Sequence, residues 1–209
     1  MDEPEKKVIR INVFQTSAAL GGRLGAYFII TYLVMGLSVV LPVVSASKFA
    51  AGISGLLSLL SVPLLIGVIF VAYFLLKRFR DSNSPDVFPF PIAWMLSLLM
   101  FLFATVLSSM AAFAYFKFFD NGLFGQAMLV RLEESIEALN AAQAMAGQAS
   151  AGTEVLGVPS DKLLETARWT FSQPASGIAR MIAQSALMTG NMLSIVIAIF
   201  VTKRIKNKA

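Results

Sequence analysis

Cysteine and histidine are both absent from the 209 residues of the chain. The missing cysteines exclude disulfides and thiolate nucleophiles, and the two absences together exclude zinc sites built on these residues and acid–base catalysis by imidazole. Charged residues are also scarce, at 14% of the chain, whereas hydrophobic residues make up 57%. Soluble domains are nearer half apolar and about a quarter charged, so this composition predicts an integral membrane protein.

Four apolar runs are long enough to cross a bilayer. They cover about residues 26–44, 56–76, 91–116 and 177–201. A helix of about 19 or more residues spans a hydrocarbon core of about 30 Å, since each residue adds 1.5 Å. Backbone groups in lipid must bond within their own segment, and the runs lack the alternation of membrane strands. The predicted fold is therefore all-α, with four transmembrane helices.

The basic residues predict the orientation of these helices. They lie before the first run, after the second and after the fourth, whereas only Lys48 lies between the first and second. By the positive-inside rule, both termini and the 77–90 loop are expected in the cytoplasm. The net charge of +5 is thus explained by topology and lipid contacts, and no nucleic-acid partner is predicted.

Five segments follow from this topology. The first run is preceded by polar sequence without a cleavage site, so we expect it to serve as a retained signal-anchor. The segments are a cytoplasmic N-terminal segment (1–25), transmembrane helices 1–3 (26–116), an acidic external segment (117–173), transmembrane helix 4 (174–202) and a basic cytoplasmic tail (203–209).

The external segment is predicted to form a helical hairpin. Its first helix, about residues 125–145, has apolar residues three and four apart, and these form a candidate partner surface: Leu129, Leu132, Ile136 and Leu139. The same stripe could lie on the membrane or pack on the second external helix. A flexible connector rich in Gly, Ala and Ser follows. Ser160 is the predicted N-cap of the second helix, and Pro174 suits the first turn of the fourth span.

Polar side chains share one face of the fourth run. Arg180, Gln184 and Asn191 lie on this candidate polar membrane face, which Leu187 interrupts. They could line a path or contact a lipid headgroup, or they could form hydrogen bonds between helices inside the bundle. Arg180 is also near enough to the external surface to extend its guanidinium to the headgroups.

The basic cluster after the second run is a candidate docking or lipid-headgroup surface. Lys77, Arg78 and Arg80, with Asp81 and Asp86 nearby, could hold a phosphate or a carboxylate, or could serve only as the topological signal. The sequence contains no phosphate loop, metal-ligand cluster or nucleophile–base pair. No catalytic residue, metal site or cofactor is therefore predicted.

The stretch "AYFKFFDNGLFGQ" (114–126) marks the predicted external end of the third run. Its aromatic residues and lysine are typical of the belt where a helix leaves the hydrocarbon. The following Asp-Asn-Gly predicts a turn in which Asn or Gly takes the left-handed conformation.

Four short stretches carry a resemblance to a known family. They are "RFRD" (78–81), "FPFPIAW" (88–94), "YFKFFD" (115–120) and "IVIAIFVTKR" (195–204). With the acidic helical pair, this order resembles the DUF4199 family of small membrane proteins from Bacteroidota, over most of the chain. The resemblance implies a Gram-negative inner membrane, with the external segment in the periplasm. It implies no activity or site residues, but suggests an association with glycosyltransferases that use polyprenyl phosphate.

Three functional hypotheses follow. The first is a non-enzymatic scaffold or anchor for a protein partner such as a polyprenyl-phosphate glycosyltransferase. The second is a small transporter, channel or lipid-handling protein that uses the polar face of the fourth span. The third is an enzyme built on Asp81, Asp86 or Asp120. A homo-oligomer is also possible, because the small residues Ala104, Ser108 and Ala112 of the third run could pack within the bundle or between copies.

Overall fold

The computed structural model describes residues 12–45, 47–83, 87–145, 154–155 and 158–202. Helices dominate these residues, and the two strands are two residues long. In chain order the elements are α1 (Val13–Val44), α2 (Lys48–Asn83), α3 (Phe90–Phe118), α4 (Leu123–Met145), β1 (Glu154–Val155), β2 (Val158–Pro159), α5 (Ser160–Phe171) and α6 (Ala175–Val201). The predicted all-α fold is confirmed.

Helices α1, α2, α3 and α6 are long and apolar enough to span a membrane, with mean hydropathies of 1.7 to 2.6 over their best windows. This confirms the four predicted spans. The helices are longer than the apolar runs: α1 begins at Val13 rather than near residue 26, and α2 continues to Asn83. At 1.5 Å per residue, α2 is about 54 Å long, against about 30 Å of hydrocarbon. Hydropathy detected the most apolar part of each helix and missed the turns beyond it.

Side-chain caps begin the first two helices. Asn12 Oδ1 accepts a hydrogen bond from the Gln15 amide (3.2 Å), and Ser47 Oγ accepts one from the Ala50 amide (3.1 Å). Each cap satisfies an amide that has no partner within its helix. Because Ser47 lies only three residues beyond the end of α1, the α1–α2 connection is short.

The predicted turn between α3 and α4 is confirmed. Asn121 (φ 45°) and Gly122 (φ 82°) both take the left-handed conformation. Asp120, which is 5% exposed, accepts hydrogen bonds from Gly122 N at Oδ2 (3.1 Å) and from Phe124 N at Oδ1 (2.9 Å). Asp120 therefore closes the turn and caps the start of α4.

The predicted cap of α5 is wrong. Ser160 is the first residue of the helix, and Pro159 occupies the cap position without a side-chain hydrogen bond. Pro159 ends β2, which pairs antiparallel with β1, and its fixed φ of −57° carries the chain from the strand into the helix. Part of the predicted flexible connector is thus strand β1, and its remaining residues lie outside the described part. Pro174 precedes α6, and its carbonyl accepts from Gly177 N (2.7 Å).

The contacts divide the chain into two compact units. The first unit consists of Met1–Thr31, Pro63–Met110 and Ile182–Ala209, and the second of Tyr32–Val62 and Ala111–Met181. Each of the four spanning helices contributes one segment to each unit. Of the predicted terminal segments, residues 1–11 and 203–209 lie outside the described part.

Glycines bring α1 and α3 together in the first unit. A Cβ added at Gly21 would lie 2.5 Å from Phe103 Cβ and 2.7 Å from the Met100 carbonyl oxygen. A Cβ at Gly25 would lie 3.2 Å from Ala104 Cα, and Ala104 is fully buried. Such small residues let helix backbones approach closely, which maximises dispersion contacts in lipid.

Two other glycines bring side chains onto helices in the same unit. Phe101 packs on Gly190 of α6, where an added Cβ would lie 2.9 Å from Phe101 Cβ. Tyr27 lies over Gly67 of α2 and donates a hydrogen bond from its hydroxyl to the Leu64 carbonyl (2.9 Å). The core of the first unit therefore depends on four glycines at three helix contacts, α1–α3, α3–α6 and α1–α2.

Candidate functional site

Arg80 stabilises the end of α6. Its Nη1 donates to the carbonyl of Val201, the last residue of α6, at 2.9 Å. Its Nε and Nη2 donate to Asp81 Oδ1 at 2.7 and 2.6 Å, and only 14% of its side chain is exposed. A cation at this place satisfies an unpaired carbonyl and interacts favourably with the negative end of the helix dipole. Of the predicted basic cluster, Arg80 is therefore already occupied within the chain.

Lys77 and Arg78 remain available beside it. An open groove of about 330 Å³ is lined by Phe74, Lys77, Arg78, Asp81 and Ser82. Lys77 Nζ lies 5.8 Å from the centre of the Tyr73 ring. Within the described residues, neither Lys77 nor Arg78 forms an ion pair. We call these five lining residues the α2 groove.

The chemistry of the α2 groove suits an anion next to an apolar surface. A guanidinium and an ammonium can together bind phosphate or carboxylate oxygens, and the Ser82 hydroxyl can add a hydrogen bond. Phe74, 58% exposed, adds an apolar wall. Asp86, which the sequence placed near this cluster, lies outside the described residues.

Arg131 anchors α4 to α1 and α2 in the second unit, a role that the sequence did not indicate. Its Nη2 donates to the Ser38 carbonyl of α1 and to Ser54 Oγ of α2, the latter at 2.9 Å. Ser54 Oγ also donates to the Ser38 carbonyl, and both serines are buried. We call these three residues the Arg131 clamp. Its acceptors are uncharged, so the guanidinium binds through hydrogen bonds rather than through an ion pair.

A row of aromatic rings joins α3, α4 and α5. Ring centres are 5.2 Å apart for Tyr115 and Phe116, 5.6 Å for Phe116 and Phe124, and 6.0 Å for Phe124 and Phe171, all edge to face. Gly125 lies beneath Phe171, where an added Cβ would come within 3.0 Å of Phe171 Cβ. We call the four rings the aromatic row. It closes the α4–α5 hairpin onto the end of α3.

Other aromatics of the same stretch face outward. Phe118 is 65% exposed and Phe119 is 72% exposed. Lys117 Nζ lies 5.3 Å from the Phe113 ring centre and 5.4 Å from that of Phe118. The "AYFKFFD" stretch therefore divides into an inner part that packs and an outer part with the exposure expected of an interfacial belt.

The predicted partner stripe of α4 is partly covered within the chain. Ile136 is 8% exposed, Leu129 and Leu132 are half-buried, and Leu139 is 38% exposed. Because α4 contacts α5, this arrangement favours packing within the hairpin. A surface ion pair between Arg168 and Glu133 (3.3 Å) also joins the two helices.

The structure places the polar residues of α6 on its outer surface. Arg180, Gln184 and Asn191 are all exposed. This exposure gives no support to hydrogen bonding inside a single copy of the bundle, and the interpretations of this face stay predictions. Gly190, about 100° around the helix from Asn191, packs against Phe101 and so helps to set the direction of α6.

The carboxylates do not assemble into a site in the described part of the chain. No group of three or more acidic residues there could hold a metal ion. Asp81 binds Arg80, and both oxygens of Asp120 bind backbone amides. What the described residues do bring together is the α2 groove, the Arg131 clamp and the outward polar face of α6.

Comparison with protein-family models identifies the family of the chain. The family model described as DUF4199, a protein of unknown function, matches residues 23–203. Neither the search of curated proteins nor the search of solved structures finds a match.

Proposed function

The chain belongs to the DUF4199 family of proteins of unknown function, and on this premise we propose that it is a non-enzymatic membrane anchor for a cytoplasmic partner. The observation that carries the proposal is the α2 groove, in which Lys77 and Arg78 have no ion-pair partner among the described residues. Two cations that form no ion pair in the described part of the chain are available to an acidic or phosphate-bearing partner.

Arg80 makes this surface suitable for docking. Because it ties α2 to the end of α6, the two cations stand on a helix that is held at a second point. A rigid surface loses less entropy when a partner binds than a mobile tail does. We propose that the protein lies in the inner membrane, as the family resemblance implies. By the positive-inside rule, the basic end of α2 then faces the cytoplasm.

The partner that we propose is a glycosyltransferase that uses polyprenyl phosphate. Such an enzyme works at the membrane surface on a phosphorylated lipid, so an anchor whose basic groove binds an acidic surface of the enzyme would hold it close to its substrate. The groove offers two cations for that acidic surface and the exposed Phe74 for apolar contact. Anchoring requires no catalytic group on this chain.

Affinity purification from native membranes in mild detergent tests the proposal. We expect the wild-type chain to recover a glycosyltransferase in stoichiometric amount, and the Lys77→Gln, Arg78→Gln double variant to lose it. The matched control is Lys117→Gln with Lys162→Gln, which removes the same number of cations from exposed positions elsewhere and leaves the groove intact. Recovery of the wild-type chain alone, or equal recovery by both double variants, would count against the proposal.

Cysteine labelling tests the orientation on which the proposal depends. Because the chain has no cysteine, Ser82→Cys in the α2 groove and Ser135→Cys on α4 each introduce a single reactive thiol. We expect a maleimide that cannot cross the inner membrane to label Ser135→Cys in spheroplasts. Ser82→Cys should be labelled only after the membrane is opened. The reverse pattern would place the groove outside the cell.

A transporter, channel or lipid-handling protein is the alternative function. A path through the bundle would need Arg180, Gln184 and Asn191 inside it, and their exposure gives this version no support. Lipid handling along the outside of α6 needs this face to be uncovered by any protein. Disulfide cross-linking from a cysteine placed at Ile195 determines whether another copy covers it.

A further inference from the structure

The outer face of α6 in the first unit has a regular pattern. Gln184, Met188, Asn191 and Ile195 are spaced four, three and four residues apart, and all four are exposed. We call these four residues the α6 seam. The inner face lies beside it: Ser194 and Ile197 are buried, and Gly190 contacts Phe101. Ala198, three residues beyond Ile195 on the line of the seam, is also buried, so the seam ends at Ile195. The spacing of the seam is that of helices that pack side by side with a small left-handed crossing angle.

Both amides of the seam lie deep in the hydrocarbon. The helix has 27 residues, so its middle is residue 188. At 1.5 Å per residue, Asn191 is about 4.5 Å and Gln184 about 6 Å from the middle along the axis. Half of the hydrocarbon core is about 15 Å thick. Both side chains are therefore well inside the region where water cannot bond to them.

Neither amide is satisfied within the described part of the chain. The hydrogen bond recorded at Asn191 uses its backbone carbonyl, which accepts from Ser194 Oγ at 2.7 Å. A side-chain amide offers two donor hydrogens and an acceptor oxygen, and lipid tails supply no partner for either. Something other than lipid tails must therefore meet these groups.

We infer that a second copy of this chain covers the α6 seam, with the two α6 helices parallel and each Asn191 bonded to the partner's Asn191. Copies inserted by the same topological signals have the same orientation in the membrane. A two-fold axis along the membrane normal then relates the two copies, and each residue of α6 meets the equivalent residue of the partner at the same depth. An amide is complementary to itself, because it donates and accepts together. One polar residue at a seam position also fixes register and the number of helices.

The alternative surface for a dimer is already used. Of the small residues of α3, Ala104 is fully buried and Ser108 is 2% exposed, and Gly25 of α1 packs on Ala104. This stripe therefore packs within the chain. The α6 seam remains as the exposed helix surface that carries intramembrane amides.

Disulfide cross-linking in membranes tests the arrangement. Ile195 on the seam and its neighbour Val196 off the seam are both 44% exposed, so Ile195→Cys and Val196→Cys differ in the direction of the side chain and not in access. With a lipid-soluble oxidant, we expect Ile195→Cys to form a covalent dimer of the chain and Val196→Cys to remain monomeric. A cross-link to another protein, the absence of any Ile195 cross-link, or equal cross-linking from both positions would overturn the inference.

A second measurement isolates the amide. In liposomes, energy transfer between labelled copies at increasing dilution gives the dimer affinity. We expect Asn191→Leu to weaken the dimer about 3- to 20-fold, the range of polar contacts between membrane helices. Asn191→Gln should retain it.

Thr189→Leu is the control for the amide, because it removes an exposed polar group at similar depth on another side of α6. Asn191→Leu replaces a polar side chain on the outer surface with an apolar one, so the fold should persist, which the elution volume in detergent checks. Unchanged affinity in Asn191→Leu, or equal weakening in Thr189→Leu, would contradict the inference. These readouts need no docked partner, so they are independent of the anchoring experiment.

Discussion

In the first unit, glycines bring helix backbones into contact, whereas in the second unit a guanidinium and a row of aromatic rings join the helices. Added Cβ atoms at Gly21, Gly25 and Gly190 would meet neighbouring helices within about 3 Å. Glycines are also present in the α1 and α2 segments of the second unit, but Gly36, Gly52 and Gly55 have nothing within 4 Å of an added Cβ. In these α1 and α2 segments glycine therefore does not serve packing, whereas Gly125 of α4, in the same unit, does so beneath Phe171.

The two units show two ways of holding helices together in a membrane. There the hydrophobic effect does not drive association, because lipid tails are as apolar as the side chains of a neighbouring helix. Close backbone approach gains dispersion energy, but it depends on every small residue in the contact. The Arg131 clamp instead satisfies polar groups that lipid could not satisfy. The chain has two tryptophans, Trp94 in the first unit and Trp169 in the second. Single-tryptophan variants can therefore report the stability of each unit by fluorescence.

The largest expected effect is at the α1–α3 contact. Gly21→Ala places a methyl group against a backbone carbonyl and a Cβ, neither of which can rotate away. We expect a loss of about 3 kcal/mol in the free energy of unfolding, at the upper end for overpacking. The measurement is the unfolding of a Trp169→Phe protein, in which Trp94 reports the first unit. Gly22→Ala is the control, since its added methyl meets nothing within 4 Å; equal losses in the two variants would refute the close contact.

The next effect is expected at the Arg131 clamp. Arg131→Met removes the hydrogen bonds to Ser38 and Ser54 but keeps an apolar stem of similar length. Hydrogen bonds to a charged group contribute about 1.5–3 kcal/mol, so we expect a loss of about 2 kcal/mol in a Trp94→Phe protein, reported by Trp169.

Arg168→Met is the matched control for the clamp. The Arg168 side chain is 66% exposed in its ion pair with Glu133, and exposed pairs contribute about 0–1 kcal/mol. A larger loss in Arg168→Met than in Arg131→Met would show that the surface pair, and not the clamp, holds α4 in place.

The smallest of the three effects is expected at the α3–α4 turn. Asp120→Ala removes both bonds that cap α4, and we expect a loss of about 1 kcal/mol, typical of an N-cap. Asp120→Asn should keep most of the stability, because asparagine caps nearly as well. Faster protease cleavage between α3 and α4 in Asp120→Ala alone would match this expectation, and equally fast cleavage in both variants would contradict it.

The sequence predicted those features that depend on local pattern. Apolar length located the four spans, and Asp120-Asn121-Gly122 predicted the left-handed turn. Gly21 and Gly25, four residues apart, carry the small-residue spacing of a helix contact, so this signal was present in the sequence. Their partner helix could not be deduced, because the contact joins residues far apart in the chain.

The Arg131 clamp could not be predicted by the same reasoning. Arg131 lies off the apolar stripe of α4, where a charged residue normally faces water. Its acceptors are a backbone carbonyl and a hydroxyl, 93 and 77 residues away, and neither leaves a signal in charge or hydropathy. For α6 the polar face was visible in the sequence, but its direction depends on the contact of Gly190 with Phe101.

The bond from Arg80 to Val201 also has a consequence for biosynthesis. The two residues are 121 positions apart, so at about 5–20 residues per second the ribosome makes Val201 roughly 6 to 24 s after Arg80. During that interval Asp81, the adjacent residue, is the partner that can already bind the guanidinium. Once α6 is inserted, the Nη1 group of Arg80 donates to the carbonyl of Val201. A residue made early in synthesis thus joins the end of α2 to the end of α6.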